Sequence, residues 1–159
     1  MSPTIQVPNI CEFMNRHLVD VFETMLSMKA TVMPNAGMPP LEERVTGSVA
    51  FAGEHITGAV YLHLAKPFAN QVAAAMLGLP PEELGEAEVN DVVGEATNML
   101  TGGLKSWLCD SGAECAVSTP AIIRGSAFVI EPVPDVLREW LVFDCDHNRI
   151  VVEIHVKVG

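Results

Sequence analysis

The segment 88–108 constrains the fold most, because its apolar residues recur at the spacing of an α-helix over about six turns. A helix with one continuous apolar stripe needs another layer of the protein to cover that stripe. Gly102 and Gly103 lie within this helix, and each weakens it by roughly 1 kcal/mol. The penalty is tolerable only if the helix is well buried. The apolar stripe consists of Val89, Val92, Val93, Ala96, Met99, Leu100 and Trp107.

Stretches of alternating apolar and polar residues predict two β-hairpins that could supply this layer. A strand that alternates in this way has one apolar face for a core. In the last strand the apolar face consists of Ile150, Val152, Ile154 and Val156, and the opposite face of Glu153, His155 and Lys157. The predicted strands are 44–51 and 56–64 around a turn at 52–55, then 137–144 and 150–157 around a turn at 145–148.

Two further helices and two single strands complete the prediction. Asn9 is placed to cap a first helix whose apolar stripe extends to Met25, and a short helix over 67–78 begins at a proline and ends at a glycine. Strands are expected near 115–118 and over 125–130. This order of elements favours an α+β fold with two related halves, in which helices pack on a largely antiparallel sheet. A single domain over 1–159 suits the chain length.

The charge balance argues against partners that need a basic surface. The chain has 9 Lys and Arg against 20 Asp and Glu, a formal net charge of -11, and no basic cluster. Such a surface repels phosphate backbones and anionic lipids, so neither nucleic acid nor a membrane is an expected partner. No apolar run approaches the length of about 18 residues that a transmembrane helix requires, and the start MSPTIQVPN has no features of a secretion signal. We therefore expect a cytoplasmic protein.

The four cysteines, at positions 11, 109, 115 and 145, are not spaced as CxxC pairs. The chain is also too long to need disulfides for its stability. We therefore expect free thiols, with disulfides as the minor alternative.

A polar stripe lies opposite the apolar one on the segment 88–108, and it consists of Asp91, Glu95, Asn98, Gly102 and Lys105. Glu95 and Asn98 are neighbours on a helix surface, with Cβ atoms roughly 5–6 Å apart. Gly102 leaves bare backbone one turn beyond Asn98, and we expect both glycines, Gly102 and Gly103, to make room for a partner to come close. A solvated helix face is the ordinary explanation of such a stripe. The ExxN pattern is also weak by itself, because it recurs at Glu12 and Asn15 on the outward side of the first helix.

Longer stretches resemble the CheX branch of the CheC/CheX/FliY phosphatases of bacterial chemotaxis. The stretches DVVGEATNMLTGGLKSWL over 91–108 and STPAIIRGSAFVI over 118–130 carry the resemblance. FMNRHLVDVFETMLSM over 13–28 is similar to the first helix of that family, and TGAVYLHLAKPFANQVAAAMLG over 57–78 to its strand and short helix. The family motif is an acidic residue or serine, a glutamate, an asparagine and a later proline. It is matched by Asp91, Glu95, Asn98 and Pro120.

The resemblance implies a phosphatase that hydrolyses the aspartyl phosphate of a response-regulator receiver domain such as CheY. It implies that Asn98 positions the attacking water and that Glu95 pairs with a lysine of the partner. Asp91, Gly102 and Lys105 are then expected to contact the same partner. The protein needs no cofactor of its own, because the receiver domain brings Mg²⁺.

The resemblance also implies a homodimer, formed through sheet edges, with one phosphatase site in each chain. Glu12 and Asn15 are not expected to form a second site, because they lie near the start of their helix without the aspartate and glycine context. The alternative function is a non-catalytic module that binds a receiver domain or a flagellar-switch component.

Other polar residues have ordinary explanations. Residues 144–148, with the sequence DCDHN, include metal-ligand types, but we favour a polar hairpin turn over a metal site by about ten to one.

His17 is expected in the core or an interface, and His63 and His155 at the surface or a dimer interface. The aromatic residues Tyr61 and Trp140 are expected to pack rather than to bind. The sequence has no Ser–His–acid arrangement, GxSxG motif or phosphate-binding loop.

Overall fold

The computed structural model of the protein describes residues 5–34, 36–39 and 43–159. Within these residues, a 3-10 turn at Pro81–Glu83 lies between the second and third helices. The α-helices are α1 (Val7–Leu26), α2 (Lys66–Leu77) and α3 (Glu86–Asp110). The strands are β1 (Thr31–Val32), β2 (Glu43–Gly53), β3 (Ile56–Ala65), β4 (Cys115–Val117), β5 (Ala121–Ser126), β6 (Leu137–Cys145) and β7 (Asn148–Val158).

The strands form one antiparallel sheet of seven strands in the order β1-β6-β7-β3-β2-β4, with β5 also paired to β2. The two predicted hairpins are β2–β3 and β6–β7. They adjoin along β3 and β7, where Val60 lies opposite Ile154. The prediction of an α+β fold with helices on a largely antiparallel sheet is confirmed.

The three helices cover one face of the sheet, and α3 packs most closely on β2. At Gly47 of β2, an added Cβ atom would overlap the side chain of Thr97. Thr97 is fully buried, and its hydroxyl donates to the carbonyl oxygen of Val93 at 2.7 Å. Glycine at position 47 therefore lets the strand approach the middle of α3, beside the polar stripe residue Asn98.

Two predicted boundaries were wrong. Helix α1 begins at Val7 after Gln6, so Asn9 lies inside the helix and does not cap it; a proline already occupies the first turn. The strand predicted over 125–130 lies at Ala121–Ser126 instead. The strand ends because Ala127 has the left-handed backbone conformation, with a φ of 53°. The short strand β1 was not predicted.

The prediction that His63 and His155 lie at the surface or a dimer interface was also wrong, because the chain that follows β5 covers the second face of the sheet within the same chain. His63 is fully buried, and His155 is only 6% exposed. Phe128 contacts this face, with its ring centre 3.8 Å from the guanidinium carbon of Arg44 and 6.3 Å from the centre of the His63 ring. The second face of the central strands is therefore buried around His63, Glu153 and His155.

All four cysteines are free thiols, as predicted. Over 5–34, 36–39 and 43–159, no helix combines the length and the apolar character needed to cross a membrane.

Candidate functional site

The candidate site lies on the outward face of α3, which the apolar stripe fixes in orientation. Val89, Val93, Ala96 and Leu100 are buried against the rest of the protein, and Met99 and Trp107 are partly buried. Because this side of the helix faces the core, the opposite side points outward. Asp91, Glu95 and Lys105 are exposed there, and Asn98 and Gly102 are partly buried. The predicted polar stripe is thus present in the folded protein.

Pro120, the last residue of the sequence motif, lies beside this stripe. A Cβ atom added at Gly94 would lie 3.6 Å from the Cβ and Cγ atoms of Pro120, an ordinary packing distance. Pro120 is therefore next to the turn of α3 that carries Glu95, although 25 positions separate the two residues in sequence (120 minus 95). The fold brings all the motif residues to one region.

The carboxylates of this stripe have no partners among the described residues. Neither Asp91 nor Glu95 forms an ion pair or a side-chain hydrogen bond there. They lie one turn apart, and like charges at this spacing destabilise a helix by about 0.2–0.5 kcal/mol. Helix stability therefore does not explain the pair. Two unpaired carboxylates on an exposed face are available to a cationic group of another molecule.

An open groove next to Glu95 was not predicted. It has a volume of about 340 Å³ and lies between the end of α2 and the first half of α3. Leu77, which lines the groove, is exposed at 44% of its surface. The groove thus combines an apolar wall with carboxylates. The sequence signal for this groove is the run of apolar residues at the end of α2, which continues past the buried part of that helix. The lining residues are Met76, Leu77, Glu88, Asp91, Val92 and Glu95.

The two consecutive glycines of α3 have different roles. A Cβ atom at Gly102 would meet no atom within 4 Å, so this position is open, as predicted. A Cβ atom at Gly103 would overlap the imidazole of His17, whose Nε2 lies 3.2 Å from the carbonyl oxygen of Met99. The idea that both glycines make room for a partner was therefore wrong for Gly103. Gly103 allows α1 and α3 to pack together.

The second ExxN pattern has a different environment. Glu12 is exposed, but Asn15 is partly buried, and its Oδ1 atom is buried with no hydrogen-bond partner among the described residues. Asn15 lines a groove with Val32 and Trp140. The expectation that this asparagine faces outward was wrong, because β1 and β6 pack beside α1. Only Asn98 belongs to an open polar face.

The segment DCDHN over 144–148 forms the tip of the β6–β7 hairpin, as predicted, with Asp146 and His147 as the turn between the paired residues Cys145 and Asn148. The Asn148 side chain donates to the carbonyl oxygens of Cys145 and Asp146, at 3.2 and 3.1 Å, and Asp144 pairs with Arg149. Within the described parts of the chain, no group of three or more His, Cys, Asp or Glu side chains could hold a metal ion.

The fold and the site define a protein that presents a carboxylate and a carboxamide on an open helix face, rather than in an enclosed cleft. A sequence model of the family described as "Chemotaxis phosphatase CheX" matches residues 45–144, which include most of β2, all of α3 and Pro120. The chain belongs to this family of chemotaxis phosphatases. No curated protein sequence matches the chain.

Solved structures agree with this assignment. The chemotaxis protein CheX from Vibrio vulnificus has a TM-score of 0.81 and 26% identity, over 97% of this chain and 100% of that chain. A CheC-like superfamily protein from Shewanella sp. PV-4 has a TM-score of 0.81 and 28% identity, over 96% of this chain and 99% of that chain. The CheX–CheY–BeF3–Mg²⁺ complex from Borrelia burgdorferi has a TM-score of 0.68 and 18% identity, over 97% and 99%, which shows the fold alone.

Proposed function

We propose that this protein dephosphorylates the aspartyl phosphate of a CheY-like receiver domain, with Asn98 positioning the attacking water and Glu95 docking the partner. The observation that carries the proposal is the outward placement of Glu95 and Asn98 on α3, next to Pro120, within the region that matches the CheX family. The CheX of Borrelia burgdorferi, which shares the fold, forms a complex with CheY and Mg²⁺.

The chemistry requires little from the phosphatase itself. An acyl phosphate is already reactive, and the receiver domain supplies Mg²⁺ and a lysine. The remaining task is to hold a water in line with the phosphorus atom. A carboxamide such as that of Asn98 can accept and donate hydrogen bonds without carrying charge. A carboxylate at position 98 would repel the phosphoryl oxygens. The amide is thus the better group for this water.

Glu95 suits a different task. Its exposed carboxylate has no partner among the described residues, and Asp91 adds negative charge one turn away. A lysine of the receiver domain would relieve the repulsion between the two carboxylates and form a charge-assisted hydrogen bond. This contact would fix the position of the receiver relative to Asn98.

The surroundings of these two residues suit a protein partner. The groove beside Glu95 offers the side chains of Met76 and Leu77 to an apolar residue of the receiver. Gly102 leaves open space one turn beyond Asn98, where a phosphorylated loop could approach. Lys105 lies exposed one turn further, and its positive charge could contact an acidic group of the partner.

The test is phosphate release from a phosphorylated receiver domain, measured with and without this protein. The proposal predicts faster release with the wild-type protein and no acceleration with Asn98→Ala, while Asn15→Ala remains active. Binding of the receiver without any faster release would favour the alternative, a non-catalytic receiver-binding or flagellar-switch-related module. Absence of both binding and release for every receiver domain of the organism would overturn the phosphatase and the receiver-binding module, and would leave only the flagellar-switch-related module.

We also propose that the protein forms a homodimer through an edge of the sheet. Strand β5 pairs with β2 on one side only among the described strands, so its other edge has unpaired backbone groups. Ile123 on this strand is 37% exposed, and Val129 and Val133, which follow it, are each 68% exposed. Sedimentation equilibrium tests the proposal. A monomer at all concentrations would contradict it.

A further inference from the structure

One side-chain hydrogen bond joins α1 to α3 among the described residues. Nε2 of His17 lies 3.2 Å from the carbonyl oxygen of Met99. Because a carbonyl oxygen only accepts hydrogen bonds, this ring nitrogen carries the proton and donates it. Met99 directly follows Asn98, which is proposed to position the attacking water. The bond therefore acts on the backbone of the turn of α3 that carries the candidate site.

The turn after Asn98 has little side-chain packing of its own, because it contains two consecutive glycines. A Cβ atom at Gly102 would meet no atom within 4 Å, whereas the three atoms nearest to a Cβ atom at Gly103 all belong to His17. Glycine leaves a helix backbone freer than any other residue does. The imidazole of His17 is therefore the group that fills the space beside this part of the helix.

The acceptor of the hydrogen bond belongs to the same turn. In an α-helix the carbonyl of one residue accepts from the N–H four positions later, so the carbonyl oxygen of Met99 also serves the N–H of Gly103. A carbonyl oxygen has two lone pairs and can accept both bonds. His17 thus bonds to one end of the turn 99–103 and packs on Gly103 at the other end. Both contacts restrict the movement of this turn relative to α1.

The ring of His17 is itself held in place. Phe13, one turn earlier on α1, stacks on it with the ring centres 5.3 Å apart, and Trp107 of α3 stacks on Phe13 at 5.4 Å. Met14 and Leu18 of α1 are fully buried in the core, which fixes the helix that carries the ring. Apolar contacts have no preferred direction, whereas a hydrogen bond does. The bond from His17 can therefore set the position of α3 along α1.

We propose that His17 is a positioning residue of the phosphatase site, because its hydrogen bond to Met99 and its packing on Gly103 hold the turn of α3 that presents Asn98. The inference rests on the proposed function of Asn98. A water must be held in line with the phosphorus atom, and a displacement of about 1 Å can lower a rate by about 100-fold. His17 acts through the backbone of α3 rather than on the water. Its loss should lower the rate of the bound complex and leave the affinity unchanged.

The first test compares two substitutions of His17 that differ mainly in the donor. His17→Gln places an N–H donor the same number of bonds from the backbone as Nε2, whereas His17→Met has a similar length and no donor. Phosphate release from a phosphorylated receiver domain is measured over a range of concentrations of this protein. For His17→Met we expect a rate at saturation about tenfold below wild type, with the half-saturating concentration within about twofold. His17→Gln is expected to recover most of the lost rate.

Val21→Ala separates the loss of the hydrogen bond from a loss of stability. Val21 is buried one turn further along α1, so its truncation destabilises the protein but leaves the donor of His17 in place. We expect this variant to keep the wild-type rate at saturation.

Amide hydrogen exchange of the protein alone gives a measurement that needs no receiver domain. The exchange rate at Gly103 is divided by that at Val93 on the same helix, so that changes in global stability cancel. In His17→Met this ratio is expected to rise by about fivefold, the effect of one lost hydrogen bond, and in Val21→Ala to stay at the wild-type value.

Failure of the inference can be distinguished from failure of the proposed function. If the wild type accelerates release and Asn98→Ala does not, the proposed function stands. The role of His17 is then overturned by a wild-type rate at saturation in His17→Met, by an equally slow Val21→Ala or His17→Gln, or by an unchanged exchange ratio at Gly103. If the wild type accelerates release from no receiver domain, the proposed function fails, and the role of His17 in the reaction fails with it.

Discussion

Gly103 of α3 lies directly against the imidazole of His17 in α1, so closely that a Cβ atom at position 103 would overlap the ring. The neighbouring Gly102 has no atom within 4 Å of the same added Cβ. Two consecutive glycines in one helix thus serve different purposes. Gly103 is required by helix packing, whereas Gly102 keeps the polar face of α3 open.

This relationship predicts opposite effects for two alanine substitutions. Gly103→Ala is expected to destabilise the protein by about 1–3 kcal/mol, because His17 and α1 must shift to admit the methyl group. Gly102→Ala is expected to stabilise it by up to about 1 kcal/mol, because alanine favours the helix and meets no obstacle. Urea unfolding of the two variants and the wild type measures both changes. Destabilisation by Gly102→Ala equal to that by Gly103→Ala would contradict the assignment.

The buried polar cluster of Arg44, His63, Glu153 and His155 on the sheet face opposite the helices predicts how stability depends on pH. The titratable groups that face one another are Arg44 from β2, Tyr61 and His63 from β3, and Glu153 and His155 from β7. Burial lowers the pKa of His63 below its ordinary value of 6.5, against the opposing hydrogen bond to Glu153. Burial acts to raise the pKa of Glu153, but the hydrogen bonds from His63 and His155 outweigh it and lower this pKa below 4.5.

Both pKa shifts make the folded protein less stable as the pH falls. The unfolded chain binds a proton at His63 more readily than the folded one, so stability falls as the pH drops below 6.5. Glu153 adds a further loss as the pH drops below 4.5. One proton contributes a slope of at most about 1.4 kcal/mol per pH unit. Urea unfolding between pH 7.5 and 5.5 is expected to show a smaller slope for His63→Gln than for wild type.

His147→Asn, a substitution in the exposed β6–β7 turn, is the control for this experiment and should retain the wild-type slope. Asparagine tolerates the positive φ of 67° at this position. If the free energy of unfolding depends on pH in His63→Gln as it does in the wild type, the pKa of His63 does not change on unfolding, which would contradict this prediction.

The docking role of Glu95 predicts an effect on association. Glu95→Lys reverses a charge on the exposed stripe and is expected to weaken binding of a phosphorylated receiver domain by about tenfold or more at low salt, mainly through slower association. Glu12→Lys makes the same change on the exposed face of α1 and should bind nearly as wild type. Surface plasmon resonance at two salt concentrations measures both. Equal losses of affinity in the two variants would indicate a general effect of charge rather than a specific docking contact at Glu95.

The long helix and the hairpins could be predicted closely because their patterns are local. The segment predicted over 88–108 is α3 at Glu86–Asp110, and the last strand predicted over 150–157 is β7 at Asn148–Val158. The helical spacing also placed Glu95 and Asn98 on the outward face. These features depend on periodicity within one element, which a sequence displays directly.

The errors arose where distant segments meet. Alternation in β3 and β7 indicates that one face is apolar, but it does not reveal that Phe128 covers the other face and buries His63 and His155. The overlap of Gly103 with His17 likewise depends on how α1 crosses α3. The groove at Met76 depends on how α2 meets α3. Such contacts follow from tertiary packing rather than from the spacing of residues in one element.

The central claim is that Asn98 positions the water that attacks the phosphoryl group. The direct measurement is the rate of phosphate release from a phosphorylated receiver domain held at saturating concentration of this protein. Asn98→Ala is expected to lower the accelerated rate by about 100-fold, the effect of losing a positioned reacting group, while the affinity for the receiver stays close to wild type. Asn98→Asp is expected to be as slow, because it adds negative charge beside the phosphoryl oxygens. Wild-type acceleration by Asn98→Ala would contradict the account.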